Sequence, residues 1–206
     1  MKRLIPILLV LGLCWVGSGW AAPSAQALVK ETADKMMATL KTEKEHVSKD
    51  PQRIYQLVNE IVLPHFDFVR MAKRVLGKYW RDATPAQRQG FTEAFRDLLV
   101  KTYANSLTEY TDRKITYLPA REPETADAAT VRSEVELASG NSVEISYRLA
   151  QEGAVWKVYD VTIDGVSLVT NYRSSFSREI DQGGLDSLIK KLVAQNAQAA
   201  DGKQTN

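Results

Sequence analysis

The stretch from Trp156 to Phe176, WKVYDVTIDGVSLVTNYRSSF, decides the fold. Val155 to Ile163 is β-branched and aromatic, with Tyr159, Val161 and Ile163 on one side and Trp156, Val158 and Thr162 on the other. Side chains of a strand alternate between faces, so a strand apolar on both belongs mid-sheet. Asp164-Gly165 is a turn dipeptide, and from Leu168 the period changes: Leu168, Tyr172, Phe176 and Ile180 recur every four residues, as on one face of a helix. A central strand therefore turns directly into a helix.

Working back toward the N-terminus, period-two alternation continues in Ile115 and Tyr117, in Val131, Ser133, Val135 and Leu137, and in Val143, Ile145, Tyr147 and Leu149. Thr, Arg and Glu lie between them, the pattern of strands with one wet face. Ser139-Gly140-Asn141 and Gln151-Glu152-Gly153 supply the turns of a meander. The acidic, proline-bearing stretch from Pro119 to Asp127 is expected to be a mobile surface loop.

Before the strands come helices. Leu28, Thr32, Met36 and Leu40 repeat every four residues; Asp50-Pro51 restarts the chain for a second helix carrying Ile54, Leu57, Val58, Ile61 and Val62 until Pro64. Phe66 to Trp80 reads as one shorter helix weakened at Gly77. Thr84-Pro85-Ala86-Gln87 is a capping box, and the helix it opens is predicted to run to Tyr110 with an aromatic stripe of Phe91, Phe95, Tyr103 and Tyr110. Past the central stretch, Gly183-Gly184 breaks the helix, Leu185, Leu188, Ile189 and Leu192 continue it, and residues 196–206 are small and polar, expected to be disordered. The order predicts an α+β fold, a helical layer packed on a curved four-stranded antiparallel sheet.

The N-terminal residues read as a secretory signal peptide over residues 1–21. Lys2 and Arg3 form a charged start, Leu4 to Val16 an apolar core too short to span a bilayer comfortably, and Gly19-Trp20-Ala21 a small-residue cleavage site. Cys14, the single cysteine, lies within that core, and bulky Leu13 argues against a lipoprotein site. The exported remainder would therefore have no disulfide and would depend on its own core, as one domain over residues 22–195. The chain carries 27 Lys and Arg against 25 Asp and Glu, and loss of Lys2 and Arg3 makes the two equal, which disfavours nucleic acid as a partner.

Catalytic patterns are sparse. There is no G-x-S-x-G elbow or Gly-rich phosphate loop, and His46 and His65 give no triad or zinc cluster, so neither a metal nor a cofactor is expected. Asp160 and Asp164 share a strand face, which a two-carboxylate enzyme acting on an apolar substrate would use, although Asp164 more simply builds the turn.

The segment from Trp156 to Phe176, together with LGKYWRDATPAQRQGFTEAFRDLLVKTYANSL at Leu76 to Leu107 and GGLDSLIKKL at Gly183 to Leu192, resembles the MlaC family, periplasmic phospholipid-binding proteins also called toluene-tolerance auxiliary proteins. The resemblance implies a nuclear-transport-factor-like cone with an apolar cavity. It also implies a non-enzymatic, monomeric periplasmic carrier: its cargo is phospholipid, and its partners are an outer-membrane lipoprotein complex and an inner-membrane ABC transporter with an MCE-domain subunit. On that reading the cavity lies between the Thr84 to Tyr110 helix and the sheet, lined by Phe95, Leu99, Tyr103, Leu107, Val131, Val135, Val143, Ile145, Tyr147 and Tyr159. Arg70, Lys73, Arg74, Lys78 and Arg81 recur at helical spacing as a basic stripe for partner docking, and Gly77, Gly183 and Gly184 are candidate hinges.

Overall fold

The computed structural model describes residues 24–119, 127–137 and 139–200. The signal-peptide reading and nearly all of the Pro119 to Asp127 loop lie outside the described residues. Helix α1 (Ala25–Thr42) is capped by Ser24, whose Oγ accepts from the Ala27 N–H at 3.1 Å, and it buries Ala25, Val29, Met36 and Leu40. After α2 (Lys44–Lys49), α3 (Gln52–Leu57) widens into a π-turn at Val58–Val62 and tightens into a 3-10 turn at Leu63–His65. Pro64 has no N–H and crowds the carbonyl four residues back, so a regular α-helix cannot pass through it.

The helix expected over Phe66 to Trp80 is two pieces. Helix α4 (Phe68–Leu76) starts at Asp67, whose carboxylate accepts from the Arg70 N–H at 2.8 Å, and stops at Gly77, where φ is 55°. The chain resumes as α5 (Tyr79–Asp82). Phe66 is not helical; it bridges to Val158, and the Asp67 N–H donates to the Val158 carbonyl at 2.8 Å.

Helix α6 (Pro85–Tyr103) opens with the predicted capping box: the Thr84 N–H donates to Gln87 at 2.9 Å and the Gln87 N–H to Thr84 Oγ1 at 3.2 Å. It ends at Tyr103 rather than Tyr110, and a separate turn, α7 (Ser106–Glu109), follows. The Thr108 hydroxyl donates to the Asn105 carbonyl at 2.7 Å, the kind of local bond by which Ser, Thr and Asn compete with helix continuation.

Among the described residues the sheet has five strands rather than four, all antiparallel and in sequence order: β1 (Ile115–Tyr117), β2 (Ala128–Glu136), β3 (Ser142–Glu152), β4 (Val155–Ile163) and β5 (Val166–Ser167). The fifth comes from a two-residue hairpin turn, Asp164 at φ 49° and Gly165 at φ 79°, that folds β5 back on β4. The strand expected mid-sheet, β4, is the fourth of five, bordered outward only by β5 and the Phe66 bridge. Its apolar character on both sides has another cause: helices α4 and α8 (Leu168–Ala200) pack against it, and a bulge leaves Tyr159 unpaired between the pairs Arg148–Asp160 and Leu149–Val158.

Helix α8 is kinked at Gly184, at φ 80° and ψ 166°. It continues to Ala200, so residues 196–200 are helical where a disordered tail was expected; Asn196 is buried and its amide donates to the Ala94 carbonyl at 2.9 Å. Two hydrophobic cores result. The larger joins the sheet to α4, α6 and α8 through Met71, Val75, Phe91, Val131, Leu149 and Phe176; the smaller joins Met36, Leu40, Ile54, Leu57 and Ile61 to Val100 and Ala104 on the reverse of α6.

Candidate lipid-binding face

Strand register fixes which side chains share a sheet face. Cross-strand partners point the same way, so Ile115 and Tyr117 of β1 join Val131, Ser133 and Val135 of β2 and Val143, Ile145, Tyr147 and Leu149 of β3, with Val158, Val161 and Ile163 of β4 beyond the bulge. No charged side chain interrupts this set. Arg132, Glu134, Glu144, Arg148 and Lys157 lie on the other face, where Arg132 makes two short bonds to Glu144 at 2.8 and 2.7 Å. The uncharged face packs toward the helices: Val131 and Val135 are buried, whereas Ile145, Tyr147, Ile163 and Tyr117 are only partly buried against the larger core.

The expected lining residues divide into groups. Val131, Val135, Val143, Ile145 and Tyr147 come together on the uncharged face, and Leu99 and Tyr103 pack in the same core from α6. Phe95 does not face the sheet. Its ring is stacked on Phe91 at 5.7 Å and meets Tyr172 and Phe176 edge-on at 5.3 and 6.2 Å, because α8 lies between this part of α6 and the sheet. Leu107 packs in the smaller core. Tyr159, displaced by the bulge, is surrounded by guanidinium groups: Arg74 at 4.4 Å, Arg148 at 5.7 Å and Arg70 at 5.8 Å from its ring centroid. Tyr159 thus packs among arginines, Phe95 against the rings of α6 and α8, and Leu107 in the smaller core.

Residues that the sequence did not single out also border the uncharged face. Leu28, Leu98, Tyr117, Ala129 and Ile163 are partly buried against the larger core. The tyrosines among these neighbours stay neutral. Burial pushes the Tyr147 hydroxyl up, partly opposed by its bond with Ser133; burial does the same to Tyr117, reinforced by Tyr147 and Asp34. Tyr172 is pushed up to about 12 by burial and by its neighbour Tyr103. Two surface concavities lie elsewhere, one of about 670 Å³ lined by Lys41 to Glu45, His46 and Lys49, and one of about 330 Å³ between α6 and the end of α8, lined by residues including Gly90, Asp97, Lys101 and Val193. None of the expected lining residues borders either.

The basic stripe is divided by Gly77. Arg70 pairs with Asp67 at 3.0 Å and Glu152 at 3.3 Å, and Lys78 approaches Asp181 at 3.9 Å. Lys73 and Arg81 are exposed, and Arg74 lies over Tyr159. The two candidate carboxylates serve structure. Asp160 is buried and accepts from Ser167 Oγ at 2.7 Å and the Val169 N–H at 3.2 Å, fixing the start of α8, while Asp164 forms the turn. Among the described residues no cluster of three His, Cys, Asp or Glu is arranged to hold a metal ion, and no helix is long and apolar enough to cross a membrane.

A family model described as MlaC protein matches residues 30–194. The chain belongs to the MlaC family. Among MlaC relatives, the toluene tolerance protein ttg2D of Pseudomonas putida is 31% identical over 185 residues, 89% of this chain and 85% of that protein. The intermembrane phospholipid transport system binding protein MlaC of Haemophilus influenzae is 27% identical over 177 residues, 84% of this chain and 82% of that one. A solved structure of the phospholipid-binding protein from Ralstonia solanacearum, in complex with a phospholipid, superposes with a TM-score of 0.79 at 34% identity, covering 86% of this chain and 99% of that chain. The MlaC fold of helices on an antiparallel sheet is thus shared over nearly the whole described chain.

Proposed function

We propose that this protein is a non-enzymatic phospholipid carrier that shelters acyl chains against the uncharged sheet face and passes the lipid between an outer-membrane lipoprotein complex and an inner-membrane ABC transporter with an MCE-domain subunit. It would do so in the periplasm, after export, and so maintain outer-membrane lipid asymmetry. The observation that carries the reading is the sorting of the sheet: one face has every charge, and the other has none from Ala129 to Ile163. The Ralstonia solanacearum relative, determined with a phospholipid, supports the same cargo class.

Transfer energetics explain why such a face is useful. Exposing one methylene to water costs about 0.8 kcal/mol, so a bare acyl chain of about fifteen methylenes meets a barrier on the order of 12 kcal/mol. Tails inserted beside Leu99, Tyr103, Val143, Ile145 and Tyr147 avoid that exposure. They require the helices to part from the sheet where Val131 is already buried in the larger core. The Asp160 carboxylate is buried and taken up by Ser167 Oγ and the Val169 N–H, which disfavours it as a base, while Asp164 sits at the hairpin turn. Native mass spectrometry and lipid extraction of the purified protein test the reading: intact diacyl phospholipid is expected. Leu99→Trp and Val143→Trp are each expected to reduce its occupancy while the far-UV spectrum is retained. Full occupancy in both variants would place the tails elsewhere.

A further inference from the structure

The uncharged face has a polar interruption of its own. Tyr117 of β1 lies directly opposite Ser133 of β2, and Tyr147 of β3 lies opposite Val131, diagonal to Ser133. Three neighbouring strands therefore place hydroxyl groups together on a face that is otherwise aliphatic. Ser133 is buried and satisfied internally, its Oγ donating to the Ile145 carbonyl at 3.4 Å and bonding with Tyr147. Tyr117 is different: it is half-buried, and no hydrogen bond is made to its hydroxyl among the described residues. No buried side-chain oxygen or nitrogen among the described residues lacks a partner, so the unbonded Tyr117 hydroxyl is still reachable from outside and open to an acceptor that the chain does not supply.

At the outer end of this row stands a cation. Lys30 of α1 places its ammonium 5.9 Å from the centroid of the Tyr117 ring, with its side chain about half exposed and paired with Asp34 at 2.5 Å. The sequence of environments is then aliphatic, hydroxyl, cationic, from the interior of the sheet outward to α1. A diacyl phospholipid has the same sequence in its tails, ester carbonyls and phosphate. We propose that Tyr117 and Tyr147, supported by Ser133, donate to the ester region of the bound lipid, and that Lys30 exchanges Asp34 for its phosphate. This rests on the carrier reading and adds to it the edge of the sheet, between α1 and β1, at which the polar end is held. Recognition of the ester and phosphate, which every diacyl phospholipid shares, leaves the variable part of the headgroup in water.

The full-length exported protein can be tested by exchange against vesicles containing equimolar dioleoyl phosphatidylglycerol and dioleoylglycerol, with bound lipid counted by native mass spectrometry. Both lipids have the ester carbonyls, and only the first has the phosphate. Lys30→Glu is expected to lower the phosphatidylglycerol to diacylglycerol ratio by about tenfold relative to the unsubstituted protein, the loss of one charge-assisted bond. Tyr117→Phe and Tyr147→Phe are each expected to lower retention of both lipids by about fivefold at an unchanged ratio. Thermal midpoints and far-UV spectra recorded in parallel exclude misfolding, and Lys30, being exposed, keeps one arm independent of the core. An unchanged ratio in Lys30→Glu together with unchanged retention in both phenylalanine variants would overturn the subsite while leaving the carrier intact. Absence of any diacyl lipid from the unsubstituted protein would instead overturn the carrier reading itself.

Discussion

His65 shows how a single side chain couples this fold to pH. It ends the 3-10 turn that leads into the Phe66 bridge, partly buried, and its imidazole is held below its ordinary value of 6.5 by burial first and then by Lys157 and Lys35. The Lys157 ammonium itself donates to the Pro64 carbonyl, so the cation is fixed beside the ring. The folded protein therefore prefers the neutral imidazole. Above about pH 6.5 that preference has no cost, because the unfolded chain is neutral too. As pH falls from there through the folded value, the unfolded chain takes up a proton that the folded chain refuses, and stability declines. The urea midpoint is accordingly expected to drop between pH 7.5 and 5.5, and to drop less in His65→Gln. Equal slopes would mean that the acid sensitivity belongs to other groups.

At the scale of elements, Gly77 separates α4 from α5 and can be tested directly. Its φ of 55° is the left-handed region, and a Cβ placed there would lie 2.9 Å from the Arg173 guanidinium of α8. Gly77→Ala is expected to destabilise the protein by roughly 1–2 kcal/mol, read as a lower urea midpoint, from backbone strain and the displaced arginine together. Punctuation of this kind was legible in the sequence. The Thr84 capping box, the Asp164-Gly165 turn and the Gly183-Gly184 break are local chemistry, and the alternation of β2 and β3 correctly separates the charged face from the uncharged one. What local pattern does not contain is which element comes between two others. The stripe of Phe91 and Phe95 is indifferent to whether it meets a sheet or a helix, and only the tertiary fold brings Phe176 and Tyr172 against it. Nor does alternation reveal a bulge: Tyr159 reads as aligned with Val161 and Ile163, and one extra residue carries it to the arginines. The same limit hid Tyr117 and Lys30, which are far apart in sequence and ordinary in type.

On the scale of the whole molecule, the carrier role proposed above would require the protein to find membrane complexes quickly and leave them readily, which favours charge-steered contacts over a large apolar interface. Folding thins the basic stripe available for this. Arg70 is tied to Asp67 and Glu152 and Lys78 approaches Asp181, but among the described residues no carboxylate lies within 4.0 Å of Lys73, Arg74 or Arg81. Arg74 is also held in place by the Tyr159 ring, so its charge is presented without the freedom of an ordinary surface arginine. Lys73 and Arg74 are therefore the positions at which reversal should be felt. A steering surface acts through its field and need not border the lipid-binding face, so retention and delivery are separable. Salt shortens the screening length from about 10 Å at 0.1 M to about 3 Å at 1 M, while the burial of acyl chains is left in place. The Lys73→Glu, Arg74→Glu double variant is expected to keep its lipid and to deliver it to the inner-membrane complex several-fold more slowly at low ionic strength, with the difference closing as salt approaches 1 M. Delivery at the unsubstituted rate in low salt would make the stripe a solvated surface and move the docking site to another face of the molecule.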